Sequence, residues 1–360
     1  MKQFSQLLYN WYTKNYRDLP WRSTRNPYLI WISECILQQT RVNQGISYYY
    51  RFIEKWPDVN ILAAASEQEV LKMWQGLGYY SRARNILATA RTIVDKYKSE
   101  FPRSANELLQ LKGIGKYTAA AIASNAFDEK IAVVDGNVLR FITRLKGIQS
   151  PADSSACHKS VQQFVDHAID ADAPGIFNQA MMEFGALHCT PKNPDCNICP
   201  FIHDCYAFRH KLTDSLPVKK QKTTIKTRYL NYLILLTEVN KNDCLYLHKR
   251  TDNDIWKGLY QFPLIETAQP AEFQHLNQSG DFVKLIGANN YTLVSISHSI
   301  RHQLTHQTIF ATFYVIKLAE KLKNQHLSLS LVSRDELGQY PLPRLIDRYL
   351  QQQGLQNNNT

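Results

Sequence analysis

LKGIGKYTAAAI, residues Leu111 to Ile122, decides how the chain reads. Gly113 and Gly115 let the backbone turn tightly and come close to another surface. The Ala-rich run after them predicts a helix whose first amides face outward, where a phosphate oxygen can sit. With Leu111 and Ile114 as apolar anchors, the stretch predicts a helix–hairpin–helix, which grips a nucleic-acid backbone without reading bases. A plain corner between two helices needs the same glycines, so the meaning depends on what flanks the stretch.

Downstream, IAVVDGNVLRFITRL (Ile131–Leu145) sets Asp135, Gly136 and Asn137 ahead of an apolar-periodic run. Asp135 reads as a helix N-cap. The dipole and amides there keep a carboxylate ionised, and an ionised carboxylate facing a sugar can stabilise a developing oxocarbenium cation. Upstream, WISECILQQT (Trp31–Thr40) puts Glu34 on one helical face with Ile30 and Leu37. Most glutamates lie on solvated faces and need no further account. On an apolar face the charged form is costly, desolvation raises the pKa, and the carboxyl suits general-acid work near neutral pH. Glu34 and Asp135 then read as two carboxyls with separated pKa values, one a proton donor and one an anionic stabiliser.

GLGYYSRARN (Gly76–Asn85) joins a Gly turn to Tyr79, Tyr80, Arg82 and Arg84. Aromatics beside cations suit a base-stacking wedge with phosphate anchors, while core packing claims at least one of the tyrosines. Further on, Cys189, Cys196, Cys199 and Cys205 stand in the spacing C-x6-C-x2-C-x5-C. Four thiolates this close can wrap one centre, and zinc and iron–sulfur both accept them. His188 and His203 are rival ligands in a zinc reading. Lys192, Arg209 and Lys211 flank the loop and could meet phosphate.

The wider chain suits such a partner. Its 360 residues carry a formal net charge of +11, which favours a polyanion, either nucleic acid or an anionic membrane surface. No run is apolar for the length a membrane span needs, and Met1–Tyr12 lacks the pattern of a signal peptide. With seven cysteines, four of them clustered, metal ligation in a reducing compartment is favoured over a disulfide framework. The expected setting is therefore cytoplasmic and nucleoid-associated, with no membrane partner, and the expected state is a monomer.

Helix-like apolar spacing covers Tyr28–Trp56, Glu67–Trp74, Ser81–Lys98, Tyr117–Phe127 and Phe177–Leu187. LPVKKQKTTIKTR (Leu216–Arg228) holds five basic residues and no acid, and reads as a linker. Strand-like runs follow at Tyr229–Thr237, Cys244–His248, Tyr291–Ile296 and Ile309–Ile316. The expected organisation is a mostly α catalytic domain over 1–211 with a ligand loop at 189–205, a basic linker at 212–228, and an α+β domain over 229–360.

Taken in order, LPWR (Leu19–Arg22), SECILQQT (Ser33–Thr40), GLGYYSRARN, LKGIGKYTAAAI, VVDGN and the four-cysteine loop resemble the MutY family of the helix–hairpin–helix glycosylase superfamily. The resemblance covers nearly the whole chain. It implies a two-part helical domain with a DNA cleft, a [4Fe–4S] cluster on the four cysteines, and a Nudix-like C-terminal lesion-recognition domain. It implies duplex DNA as partner and excision of adenine mispaired with 8-oxoguanine or guanine, the adenine flipped out of the stack. By the same resemblance Glu34 protonates adenine N7 and Asp135 stabilises the sugar cation. Tyr117 and Asn137 support that site. Trp21, Arg22, Gln39 and Thr40 contact pocket and lesion, and Tyr79 is the wedge. Relatives similar to endonuclease III carry a nucleophilic Lys where this chain has Tyr117. That implies a monofunctional glycosylase here, since Lys116 points about 100° away on a helix.

In the second half, WKGLYQFP (Trp256–Pro263) carries the Nudix resemblance, but the acidic REXXEE helix of hydrolysing members is missing. HQLTH (His302–His306) aligns with a loop that usually reads Phe-Ser-His; here it is Leu304-Thr305-His306, so hydroxyl and imidazole stay while the aromatic goes. The competing readings are an endonuclease III-like glycosylase/lyase for oxidised pyrimidines, a non-catalytic iron–sulfur DNA-binding or redox protein, and a Nudix hydrolase. Release of free adenine from duplex DNA separates the first reading from these.

Overall fold

The computed structural model describes residues 2–219, 225–322 and 328–354. The chain forms two compact units: Met1–Ala64 with Asn85–Gln221, and Ala65–Arg84 with Lys222–Thr360. In chain order the first helices are α1 (Lys2–Asn15), α2 (Pro27–Leu37), α3 (Val42–Lys55), α4 (Val59–Ala64), α5 (Glu67–Met73) and α6 (Ser81–Tyr97). They are followed by α7 (Ala105–Leu108), α8 (Lys116–Phe127), α9 (Gly136–Lys146), α10 (Ser155–Ala168), α11 (Pro174–Leu187) and α12 (Tyr206–Arg209). None of the described helices is long and apolar enough to cross a membrane.

One expected helix is two. The run Tyr28–Trp56 breaks after Leu37: Gln38 leaves helical space at ψ 111, and Gln39 takes φ +56. Gln and Arg are good helix formers, so the polar residues at the break gave no warning. The break places Glu34 in the last turn of a short helix. At the other end of α2, the Asn26 side chain accepts from Tyr28 N at 2.9 Å, and Pro27 fills the first helical position.

The helical unit closes around α1, α9, α10 and α11. Leu8, Phe141, Ile142, Val161, Phe177 and Phe184 are buried there. Phe201, from the cysteine loop, enters the same core and meets Phe141 and Phe184 at 5.2 Å between ring centroids. That side chain helps to anchor the loop on the helical core.

The second unit is a sheet of β1 (Lys226–Val239), β2 (Asn242–Lys249), β3 (Tyr260–Gln261), β4 (Leu264–Thr267), β5 (Tyr291–Ile296), β6 (Ile300–Gln303), β7 (Gln307–Leu318) and β8 (Leu329–Ser333). Three helices, α13 (Phe273–Leu276), α14 (Gly280–Ile286) and α15 (Arg344–Gln352), complete it. The main path runs β3-β2-β1-β7-β5, with β1 parallel to β7. Alternation along β1 explains the layers. Leu230, Tyr232 and Ile234 face a core shared with α15, while Leu233 and Leu235 face one shared with α13 and α14. The α+β expectation holds.

The unit boundaries differ from the expected ones. Residues 65–84 join the sheet unit. The basic linker is also shorter than 212–228. Leu216 is buried and its carbonyl accepts from Arg144 Nε at 2.9 Å, so its first part is folded onto the helical unit. Its last part is already β1, where Arg228 pairs with Glu266 at 2.6 Å and Asp254 at 2.8 Å. Residues 220–224 of the expected linker, and the Gln/Asn-rich tail from 355 on, lie outside the described residues.

Candidate active site

Glu34 is buried, as its helical phase requires. It opens on a cavity of about 200 Å³ within the helical unit, whose wall also holds Trp21, Arg22, Thr40, Tyr117, Asp135 and Asn137. Burial pushes the Glu34 carboxyl up to about 7. The Tyr117 hydroxyl and Arg22 oppose that rise, and the charge of Asp135 adds to it. Tyr117 itself is held far above its ordinary value by burial and by the two carboxyls. It is therefore a neutral donor, with its hydroxyl also 3.4 Å from Met182 Sδ. Trp21 is buried and meets Tyr49 edge-on at 5.2 Å.

Asp135 caps α9. Its Oδ1 accepts from Asn137 N at 2.9 Å and Val138 N at 2.7 Å, and its Oδ2 accepts from Asn137 Nδ2 at 2.7 Å. Burial nevertheless pushes its pKa up, against the Val138 and Asn137 hydrogen bonds and the charge of Arg140. The expectation that the dipole and amides dominate this carboxylate is corrected in that respect: burial is the larger influence. Its three donated hydrogen bonds favour the anion, whereas the largest influence on Glu34 is burial, which favours the neutral acid.

Long-range contacts hold this cap in place. Arg140 donates to Asn137 Oδ1 at 2.9 Å, Gly185 O at 2.6 Å and Cys189 O at 2.8 Å. Gly185 lets α11 approach closely, since a Cβ there would lie 2.5 Å from Asn137 O. Asn178 binds the segment before α9, accepting from Val133 N and donating to Ile131 O.

Two expected residues behave otherwise. Gln39 is exposed and off the cavity wall. Arg22 is on the wall but is tied to Glu183, which also takes Arg17. Burial alone would raise Glu183; the two arginines hold it down at about 2. Sequence reasoning missed Arg17, Asn178 and Glu183, whose only local signal is an acid on the apolar helix α11.

Comparison with known proteins bears on this geometry. A family model described as HhH-GPD superfamily base excision DNA repair protein matches residues 32–166, and a NUDIX domain model matches 234–352. An adenine DNA glycosylase from Buchnera aphidicola subsp. Schizaphis graminum is 37% identical over 265 residues, covering 73% of this chain and 75% of the relative. The chain belongs to the adenine DNA glycosylase family. Among solved structures, a thermostable thymine-DNA glycosylase matches with TM-score 0.54 and 30% identity over 58% of this chain and 96% of its own. An endonuclease III–DNA complex matches with 0.51 and 26%, over 59% and 97%. The resemblance to MutY and the two-domain fold class therefore hold.

Other features of this adenine DNA glycosylase family member fall into place. In the hairpin, Gly113 takes φ +79 against Asn85, where a Cβ would come within 2.6 Å. Leu111 and Ile114 are buried, while Lys112, Gly113, Gly115 and Lys116 are exposed at the start of α8. None of the four cysteines is in a disulfide, and they sit on a loop held by Arg144, which donates to Cys189 Sγ at 3.5 Å and Thr190 O at 2.7 Å. His188 is stacked on Phe184 at 4.9 Å.

In the sheet unit, Leu304–His306 link β6 to β7 as a three-residue hairpin, closed by Leu304 N to Gln307 O at 2.8 Å. Leu304 packs on the core and leaves Thr305 and His306 exposed at the tip. Tyr79, at φ +47 and 47% exposed, shares a hydrogen bond of 2.7 Å between its hydroxyl and Thr305 Oγ1. Tyr80 is buried. A separate cavity of about 520 Å³ in this unit is lined by Tyr79, Trp256, His302, Thr305 and His306. Arg82 and Arg84 are not the expected phosphate anchors. Arg82 is buried over the Trp74 ring and donates to Gly78 O, and Arg84 donates to Lys257 O.

Proposed function

We propose that this chain excises adenine from duplex DNA in which it is mispaired with 8-oxoguanine or guanine. The observation that carries the reading is the pairing, on the wall of one cavity, of a buried Glu34, its carboxyl pushed up to about 7, with an N-capping Asp135. The cavity is smaller than the roughly 300–1,000 Å³ of drug-sized ligand pockets, which suits one flipped base. Glu34 gives its proton to adenine N7, so the base leaves neutral. Asp135, fixed by its three donors, faces the sugar and stabilises positive charge as the N-glycosidic bond breaks. Tyr117 donates toward Glu34 and holds its carboxyl in place. Activity should fall as pH rises through about 7, as Glu34 loses its proton.

The test is a panel of labelled duplexes with A, C, G, T or thymine glycol opposite guanine and 8-oxoguanine. Selective loss of adenine supports the reading, and selective loss of thymine glycol replaces it with the pyrimidine-specific rival. On the same panel the wild-type protein is expected to leave the abasic strand intact. Tyr117 offers no amine for a Schiff base, and Lys116 is exposed at the start of α8. Tyr117→Lys should gain borohydride-trappable nicking; trapping by the wild type would restore the lyase reading.

The four cysteines fit a [4Fe–4S] cluster. Burial pushes the Cys189, Cys196 and Cys199 thiols up, and Cys205 lies near enough to each to add to the rise, while Arg144 donates to Cys189 Sγ. Such a cluster would staple the loop and present Lys192, Arg209 and Lys211 to phosphate. Anaerobically purified protein should be yellow-brown, with about as much sulfide as iron; stoichiometric zinc would overturn this.

Lesion reading falls to the Thr305 hairpin. Thr305 and His306 are expected to meet the 8-oxoguanine strand, with Tyr79 as wedge. Polar contacts of this kind supply roughly 1–3 kcal/mol each. Thr305→Ala/His306→Ala should therefore lose part of the preference for A opposite 8-oxoguanine over A opposite G. The ratio of excision rates at one fixed salt concentration measures it, and an unchanged ratio removes the hairpin from recognition.

A further inference from the structure

We propose that Glu183 is a positioning residue of the base-releasing site. It gathers Arg17 and Arg22 into a cage with one surplus positive charge beside Glu34, and so sets the pH range in which the pocket works. This deepens the function proposed above and rests on it.

Glu183 lies on α11 with its side chain 1% exposed. Its Oε1 accepts from Arg17 N at 2.9 Å, Arg17 Nε at 2.8 Å and Arg22 Nη1 at 3.0 Å. Its Oε2 accepts from Arg17 Nη2 and Arg22 Nη2, both at 2.6 Å. Arg22 also donates to Arg17 O at 2.8 Å, which locks the two arginines together. One guanidinium would neutralise one carboxylate; the second leaves the cage cationic. Arg17, Arg22, Glu183 and Glu34 line the same cavity.

Glu34 is faced by Tyr117 from α8, Asp135 from the start of α9 and Arg22 from the segment before α2. The cage is faced by Tyr12 from α1, which feels both Arg22 and Glu183. Burial and Asp135 favour the neutral acid at Glu34, and Arg22 pulls the other way. A general acid works best with its midpoint near the operating pH, and the surplus charge keeps Glu34 from rising further. Neutralising Glu183 leaves two uncompensated cations, which should lower the Glu34 midpoint. Removing Arg17 leaves a neutral pair, which should raise it.

The experiment is a carbon-13 NMR titration of the cluster-bearing protein labelled at glutamate Cδ. Glu34 is assigned by its loss in Glu34→Gln, and pH profiles of single-turnover base release are run in parallel. Glu183→Gln should move the Glu34 midpoint and the alkaline limb down by roughly one pH unit or more. Arg17→Gln should move both upward, and Glu183→Asp, which keeps the charge, should restore the midpoint. If Glu183→Gln does not fold, Arg17→Gln at the rim carries the test. A midpoint unmoved in the folded variants overturns the cage, even if their rates fall. A wild type that titrates as expected yet releases no adenine overturns the function and leaves the cage standing.

Discussion

Asp135→Asn is expected to cut single-turnover base release on the order of 1,000-fold or more while duplex binding is kept. The magnitude follows from removing a fixed charge aimed at a developing one in a site screened from water. Asparagine caps helices about as well as aspartate. Its Oδ1 can still accept from Asn137 N and Val138 N, the two amides that Asp135 satisfies at 2.9 and 2.7 Å. The new amide nitrogen faces Asn137 Nδ2, which now donates to Oδ2, so one hydrogen bond is lost and the fold is kept. Excision rates with matched gel-shift affinities measure the effect. Near-normal excision by this variant would remove Asp135 from the chemistry.

Glu34→Gln should remove the proton donor and lower excision by roughly 100- to 10,000-fold. It should also make the protein more stable at high pH. In the native state burial holds Glu34 near 7 instead of 4.5, so the folded protein binds the proton more tightly than the unfolded chain. That stabilisation is full below about 4.5 and is lost as pH rises through about 7. Above neutrality the wild type carries a buried charge that glutamine lacks, a difference of roughly 3 kcal/mol. Denaturant melts at pH 5 and pH 8.5 test this. A gap between variant and wild type that does not widen with pH would mean that Glu34 is ionised throughout.

Much of this chain was legible without coordinates. The cap at Asp135, the glycine hairpin, the apolar phase of Glu34 and the cysteine spacing are local properties, set by helix geometry and by residues within a few positions of each other. The strands were legible for the same reason: their alternation is a chain-local period. The break at Gln38–Gln39 was not, because its residues suit a helix and only the fold turns them out.

What the tertiary structure decided lies between residues far apart in sequence. Glu183 clamps Arg22 across 161 positions, and Tyr79 meets Thr305 across 226. Residues 65–84 join the sheet unit, where Gly258 approaches Leu71 and Glu67, so truncation in the linker would strip that segment of its partners. No pattern in the chain announces such pairs. A buried charge or hydroxyl takes whichever partner packing brings to it, because leaving it unpaired costs more than any local preference can supply.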